Sequence, residues 1–298
     1  MSSSTNLRRP EHAAPPDIYY NSIEAKKYAD NTRIINIQTQ MTERCLELLA
    51  LPKSDELQYH ILDIGCGSGL SGGVISDSNI QWTGIDISLD MLNIAYNRDV
   101  LGDLLCCDIG DGLNFKSGIF DGCVSVSVIQ WLCNADNSLH NPIHRMKKFF
   151  SSLYYSMKSS TRAIFQFYPE SAQSIQLLQS AALHSGFTGG IVIDYPNSTK
   201  AKKYYLCLQT GGNTYSIPNG LDDNNNITTN TIQSNTTQSR NKALFVRPDR
   251  YNRNNKNNDR VGIKSIEWIH KKKQKQRALG KDVKRDSKYT GRSRGPKF

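Results

Sequence analysis

The stretch Tyr59-His60-Ile61-Leu62-Asp63-Ile64-Gly65-Cys66-Gly67-Ser68-Gly69 decides how this chain folds. An apolar run ends in an acid, and glycine then recurs at 65, 67 and 69. The pattern predicts a strand that delivers the chain into a tight glycine turn and then a helix. Without Cβ atoms such a turn lets backbone approach a nucleotide-like ligand, and the N-terminus of the next helix faces that ligand.

Outward from this stretch, strand and helix signals alternate. Strands are expected at Tyr59–Asp63, Gln81–Asp86, Leu104–Cys107, Phe120–Ser127 and Arg162–Phe167, with weaker ones at Ile191–Asp194 and Tyr204–Gln209. Helices are expected at Leu70–Ser76, Leu89–Arg98, Ile143–Lys158 and Glu170–Ser185. This alternation predicts a doubly wound α/β fold, a mostly parallel seven-stranded sheet covered on both faces. Tyr195–Lys203 is too short for a helical crossover, so the last two strands should form an antiparallel hairpin. Upstream, the pattern turns helical from Tyr19 to Leu51: Ile34, Ile37, Met41, Cys45, Leu48 and Leu49 recur at helical spacing, and Pro52 closes that helix. Tyr28 and Arg33, just ahead of it, either cap the ligand or anchor the surface.

Composition changes along the chain. Residues 1–17 read as a flexible arm, 18–210 as the folded domain, and 211–239, rich in Asn and Thr, as a disordered linker. From Arg240 to Phe298 there are 20 Lys or Arg against five acids, a net +15 in a chain of +10, which leaves −5 for the first 239 residues. An acidic body with a basic tail points to a polyanionic partner, nucleic acid before membrane. A mean hydropathy of −0.53 agrees with a partly unstructured chain. No run approaches the ~18 apolar residues of a membrane span. The seven cysteines are odd in number and form no C-x-x-C pair, so free thiols in a reducing compartment are expected, and no metal site.

Which ligand sits on the turn follows from three acids. A dinucleotide fingerprint would require glycine where Leu70 stands. Instead Asp63, Asp86 and Asp108 end three successive strands and point into one crevice. Asp86 suits a ribose diol and Asp108 an adenine amino group, and Ile87 and Ile109 after them join the expected contacts. Neutral adenosine carrying an amino-acid-like cation fits this set, a pyrophosphate does not. S-adenosylmethionine is therefore the expected cofactor.

At this point the chain resembles a known family. Asp63 through Gly69 with Asp86 and Asp108 is similar to the class I S-adenosylmethionine-dependent methyltransferases. Ile18-Tyr19-Tyr20, Glu24-Ala25, Tyr28, Asn31, Arg33-Ile34, the block Ser125–Leu132, and the tail motifs Lys264-Ser265, Trp268-Ile269 and Asp286–Arg292 resemble the eukaryotic 18S rRNA (guanine-N7) methyltransferases. The Asn/Thr-rich linker departs from them as an insertion. The resemblance implies methylation of guanine N7 in small-subunit rRNA on the pre-40S particle, in the nucleus. It also implies a small zinc-binding activator subunit covering the open edge strand at Leu104 and Leu105.

Guanine N7 carries a lone pair at neutral pH, so no general base is expected, only positioning and exclusion of water. Gln130 can bond the guanine edge, and Trp131 can stack on an extruded base or pack in the core. Ser127 is the nearer of the two strand serines to the ligand. A cysteine-nucleophile mechanism through Cys123 or Cys133 lacks its Pro-Cys or Thr-Cys context. His140 and His144 read as solvated. A tRNA or small-molecule methyltransferase remains open here, as does an RNA-binding assembly factor whose methylation is dispensable.

Overall fold

The computed structural model describes residues 9–52, 58–135, 141–211, 217–222, 231–232 and, further on, 269–270, 272–274, 277 and 284–285. The chain divides into two compact units, Met1–Thr236 and Thr237–Phe298.

The first unit is organised on a sheet. Its strands are β1 (His60–Ile64), β2 (Gln81–Asp86), β3 (Asp103–Cys106), β4 (Phe120–Val126), β5 (Met157–Phe167), β6 (Phe187–Asp194) and β7 (Lys203–Thr210), with a two-residue β8 (Thr231–Ile232). Their order across the sheet is β3-β2-β1-β4-β5-β7-β6-β8. The first five run parallel, while β7 is antiparallel to both β5 and β6. The doubly wound sheet and its terminal hairpin are thus as expected, with β8 added beside β6 through Ile191 and Val192.

Helices cover both faces. They are α1 (Pro16–Tyr19), α2 (Ser22–Asp30), α3 (Thr32–Leu49), α4 (Leu70–Asp77), α5 (Leu89–Asn97), α6 (Pro142–Ser156) and α7 (Ala172–His184). One core packs Phe149, Phe150 and Leu153 of α6 and Leu178 of α7 on Leu62, Ile64, Phe165 and Leu206. The other packs Met41, Cys45, Leu48 and Leu49 of α3 and Ile75 of α4 on Ile61, Trp82, Val124 and Ile164. Alternate residues of β1 and β5 feed the two cores, as strand periodicity requires.

Three stretches depart from expectation. The helical pattern of Tyr19–Leu51 is broken at Asn31, whose side chain accepts from Arg33 N and Ile34 N and so starts α3 afresh. The arm is laid on the domain from Arg9 onward, with a short turn at Pro10–His12. Its guanidinium donates to the carbonyls of Tyr168 and Pro169, each at 3.1 Å. Within the expected linker, Leu221 N donates to Asp194 Oδ1 (2.9 Å) and its carbonyl accepts from Tyr195 N (2.7 Å). One carboxylate bond and one backbone bond thus join Leu221 to the end of β6.

In the second unit, residues 269–270, 272–274 and 277 are helical and Lys273 Nζ donates to the Lys284 carbonyl (3.1 Å). Trp268, Lys271 and the Asp286–Arg292 motif lie outside the described residues. Among the described residues, no helix is long and apolar enough to cross a membrane.

Candidate functional site

The glycine turn closes one end of a crevice of about 980 Å³, mouth included, along the carboxyl ends of β1, β2, β3 and β4. Gly65 sits at φ +70°, and a Cβ there would come within 2.1 Å of the Val128 side chain. Only glycine lets the turn lie against the loop that follows β4. Gly67 also lines the crevice, whereas Gly69, at φ +78°, caps α4 and packs on Val100 and Ala95.

Asp86 holds the turn in shape. Its Oδ2 accepts from Gly67 N (2.9 Å) and its Oδ1 from Ser88 N (2.8 Å). Each oxygen keeps a lone pair for a further donor, such as a ribose hydroxyl. Burial pushes its pKa up, and the bonds from Ser88 and Gly67 oppose that rise. Ile87, Asp108 and Ile109 line the crevice beside it.

Asp108 is not alone there. Arg145 of α6, buried at 8% exposure, reaches both its oxygens at 2.7 Å. Gly110, whose N–H donates to Asp108 Oδ1 (2.8 Å), lies so close to the guanidinium that a Cβ would strike it at 2.1 Å. Arg145 was missed because its place in the chain, 37 residues beyond Asp108, carries no local signal. The pair orients the carboxylate while leaving it able to accept from a ligand amine.

Ser127 closes β4 in a left-handed conformation, φ +63°, that a non-glycine residue adopts only under constraint. The constraint is visible. Ser127 N donates to Gln166 O (2.9 Å), its Oγ to Gln166 Oε1 (2.8 Å), and its carbonyl accepts from Gln130 Nε2 (3.0 Å). Strain held at the crevice wall fits a positioning role.

Over the crevice stand Tyr20 and Tyr28, ring centroids 5.8 Å apart and edge to face. Burial raises the pKa of both phenols. The Tyr20 carbonyl accepts from Ser88 Oγ (2.7 Å), which ties the cover to the end of β2. Arg98 ties it to the glycine turn: the guanidinium donates to the Ser68 carbonyl and Oγ and to the Ala29 carbonyl. Trp131 lines the crevice and packs against Tyr19 and Tyr20, at 6.2 and 6.0 Å.

Four expected contacts stand elsewhere. Asp63 lies beneath the turn, where its Oδ2 accepts from Ser71 Oγ (2.5 Å), so it fastens β1 to α4 and does not line the crevice. Complete burial raises its pKa to about 7. Gly69 is the helix cap already described. Arg33 is exposed on the first turn of α3, outside the lining. Gln130 lines a second, smaller cavity, away from its neighbour Trp131. Consecutive residues of the 3₁₀ turn Ile129–Cys133 project about 120° apart, which separates the two side chains.

No activated thiol is present in this region among the described residues. Cys123 is fully buried in β4, and burial lifts the Cys133 thiol to about 11. Of the seven cysteines, Cys45, Cys66, Cys123 and Cys207 are buried and in no disulfide. The crevice therefore offers a glycine cradle a Cβ would fill, two strand-end carboxylates and an aromatic cover. That set fits S-adenosylmethionine.

Comparison with known proteins agrees with this chemistry. The family described as "Methyltransferase domain" matches residues 62–149, and the one described as "Methyltransferase involved in Williams-Beuren syndrome" matches 208–296. The chain is 47% identical to an 18S rRNA (guanine-N(7))-methyltransferase of Mus musculus, over 99% of this chain and 100% of that one. It is 46% identical to a probable 18S rRNA (guanine-N(7))-methyltransferase of Dictyostelium discoideum, over 98% of this chain and 100% of that one. Among solved structures, a putative S-adenosyl-L-methionine-dependent methyltransferase of Methanococcus maripaludis is similar at 13% identity and TM-score 0.49, over 66% of this chain and 96% of that one.

Proposed function

This chain belongs to the 18S rRNA (guanine-N7)-methyltransferase family, and from that membership we propose how its crevice carries out the reaction. It is an S-adenosylmethionine-dependent enzyme that methylates guanine N7 in small-subunit rRNA. The observation that carries the site reading is the Asp86 carboxylate, bonded to the glycine turn and free to accept ribose hydroxyls at the crevice wall.

The cofactor supplies an electrophilic methyl group on a sulfonium. Gly65 and Gly67 would give its amino-acid end close approach to backbone, Asp86 would hold the ribose, and Asp108, steadied by Arg145, would hold the adenine amine. Ile87, Ile109 and Met91 enclose the base, and Tyr20 and Tyr28 cover the crevice against water. The attacking nitrogen already holds its lone pair, so these residues position two reactants and move no proton. Ser127 and Trp131 form the wall on which the acceptor approaches. Neither Asp63 nor Arg33 touches the cofactor in this reading.

The surface supports the partners that the family resemblance implies. Leu105 on the open edge strand β3 is 43% exposed, while Leu104 turns inward toward the core around Trp82. A small zinc-binding activator subunit adds a strand there and covers Leu105. The basic tail binds rRNA phosphates, and the enzyme works in the nucleus during small-subunit assembly.

Mapping N7-methylguanine in small-subunit rRNA by chemical cleavage tests this reading. Cells carrying Asp86→Ala should lose one cleavage site that the wild type shows, and the purified variant should bind S-adenosylmethionine at least tenfold more weakly. Unchanged cleavage in the variant would refute the role given to Asp86. If rRNA processing survives while the mark disappears, methylation is separable from assembly.

A further inference from the structure

The crevice has a cofactor side and an acceptor side. The cofactor residues stand at the ends of β1, β2 and β3, and Ser127 and Trp131 follow β4. Past β4 the sheet continues through β5 and β7. β7 runs antiparallel to β5 with Tyr204 opposite Phe167, so Lys203 and the loop before it stand at the same end of the sheet as the crevice. Two strand spacings, about 10 Å, separate the end of β4 from β7.

Between Tyr195 and Lys203 this loop carries Lys200, Lys202 and Lys203 and no acid. Lys200 is exposed, and the other two are half-buried. Other cations of this acidic body are spent on carboxylates: Arg44 on Asp194, Arg145 on Asp108 and Lys158 on Asp121. Among the described residues, none of the three loop lysines forms an ion pair. Lys203 is not simply solvated either. Its Nζ lies over the Tyr168 ring, 5.4 Å from the centroid, and burial lowers its pKa. An ammonium partly withdrawn from water with only a ring face beside it has most to gain from an arriving anion. Arg9 brings a fourth cation to this strand end, bonded to the neutral carbonyls of Tyr168 and Pro169. The acid next along the chain there, Glu170, stands 3.2 Å from His12.

The reaction itself supplies such an anion. A strand that delivers its acceptor base at the end of β4 carries the neighbouring phosphates across the adjoining strand ends. Phosphate contacts fix the register and direction of a strand without reading its bases, and lysine serves them as a point charge. We propose that Lys200, Lys202 and Lys203 form a phosphate-binding rim that seats the rRNA backbone on the acceptor side of the crevice, a second grip distinct from the basic tail. This rests on the rRNA reading above and names where the body holds the substrate. The rim positions the strand and touches none of the reacting atoms.

Binding titrations of the full chain with unmodified small-subunit rRNA at several salt concentrations test it, beside methyl transfer to the same RNA. Lys200→Gln, Lys202→Gln and Lys203→Gln together should weaken binding at least tenfold near 0.1 M salt, and should lower the log–log salt slope by about two, at ~0.7 per phosphate contact on a single strand. In methyl transfer the KM for rRNA should rise by a similar factor while kcat stays within about twofold, because the contact is made equally before and during the reaction. Affinity for S-adenosylmethionine, measured by calorimetry, should stay within about twofold, which a misfolded chain would not allow. Lys203→Gln alone should cost at least about threefold in binding and Lys203→Arg should retain it, whereas Lys116→Gln, before β4 and so at the opposite end of the sheet, should cost less than about twofold. If the triple variant loses the cofactor, Lys200→Gln with Lys202→Gln takes its place, with the slope lowered by about 1.4. An unchanged slope, or an equal loss in Lys116→Gln, would overturn the rim. So would a loss confined to methylation of the assembled particle with free rRNA unaffected, which would give the loop to an acidic protein partner. A wild-type chain that places no methyl on guanine N7 would overturn the functional reading, while the salt slope still decides the rim.

Discussion

Asp63 illustrates how one side chain can belong to a motif without belonging to the site. It begins the acid-glycine signature, yet it is 1% exposed and spends an oxygen on Ser71 Oγ. Burial raises its pKa to about 7, above the ordinary carboxylate value. A carboxyl with a raised folded pKa takes up a proton on folding between those two values. Its favourable contribution is therefore complete below about pH 4 and is lost as pH rises through about 7, a change on the order of 4 kcal/mol. Asp63→Asn keeps an acceptor for Ser71 and removes the titration. Urea unfolding from pH 5 to 8 should show the variant gaining on the wild type as pH rises. A constant difference across that range would mean the carboxyl is already ionised in the folded state at pH 5. Asp86 was legible because its position at a strand end is its function, but Arg145 was not, since only packing of α6 brings it to Asp108.

At the scale of elements, two junctions decide how the sheet is finished. Arg44 of α3 meets Asp194 of β6 through Nε at 2.9 Å, and Asp194 is 2% exposed. The same guanidinium donates to the Asn219 carbonyl (3.2 Å), so helix, hairpin and following segment share one charge. Arg44→Met should cost about 3–5 kcal/mol in urea unfolding, because it leaves a buried carboxylate without its cation. The other junction is the edge. Alternation along β3 points Leu104 inward and Leu105 outward, so a test of partner binding should spare the former. Leu105→Asp should abolish co-purification of the activator subunit while cofactor binding persists, whereas retained co-purification would place the partner on another surface. The helix and strand positions were readable from periodicity. The break at Asn31 and the extension of β5 back to Met157 were not, because a local cap and a neighbouring strand decided them.

The whole chain joins a mildly acidic catalytic body to a strongly basic tail. Phosphate contacts release counterions, so RNA affinity that depends on the tail should fall steeply with salt. Removing residues 240–298 should weaken rRNA binding and flatten that slope, read from binding titrations at several salt concentrations. An unchanged slope would assign RNA affinity to the body. The sequence by itself determined the parallel sheet, the glycine turn and the acids at the ends of β2 and β3, because each is written in spacing over a few residues. Only the tertiary structure decided what those parts surround. It buried Asp63, brought Arg145 to Asp108, bound the arm at Arg9 to the end of β5, and sent Gln130 and Trp131 to different cavities. Each of those depends on where a side chain points once distant segments pack, and no local pattern encodes that direction.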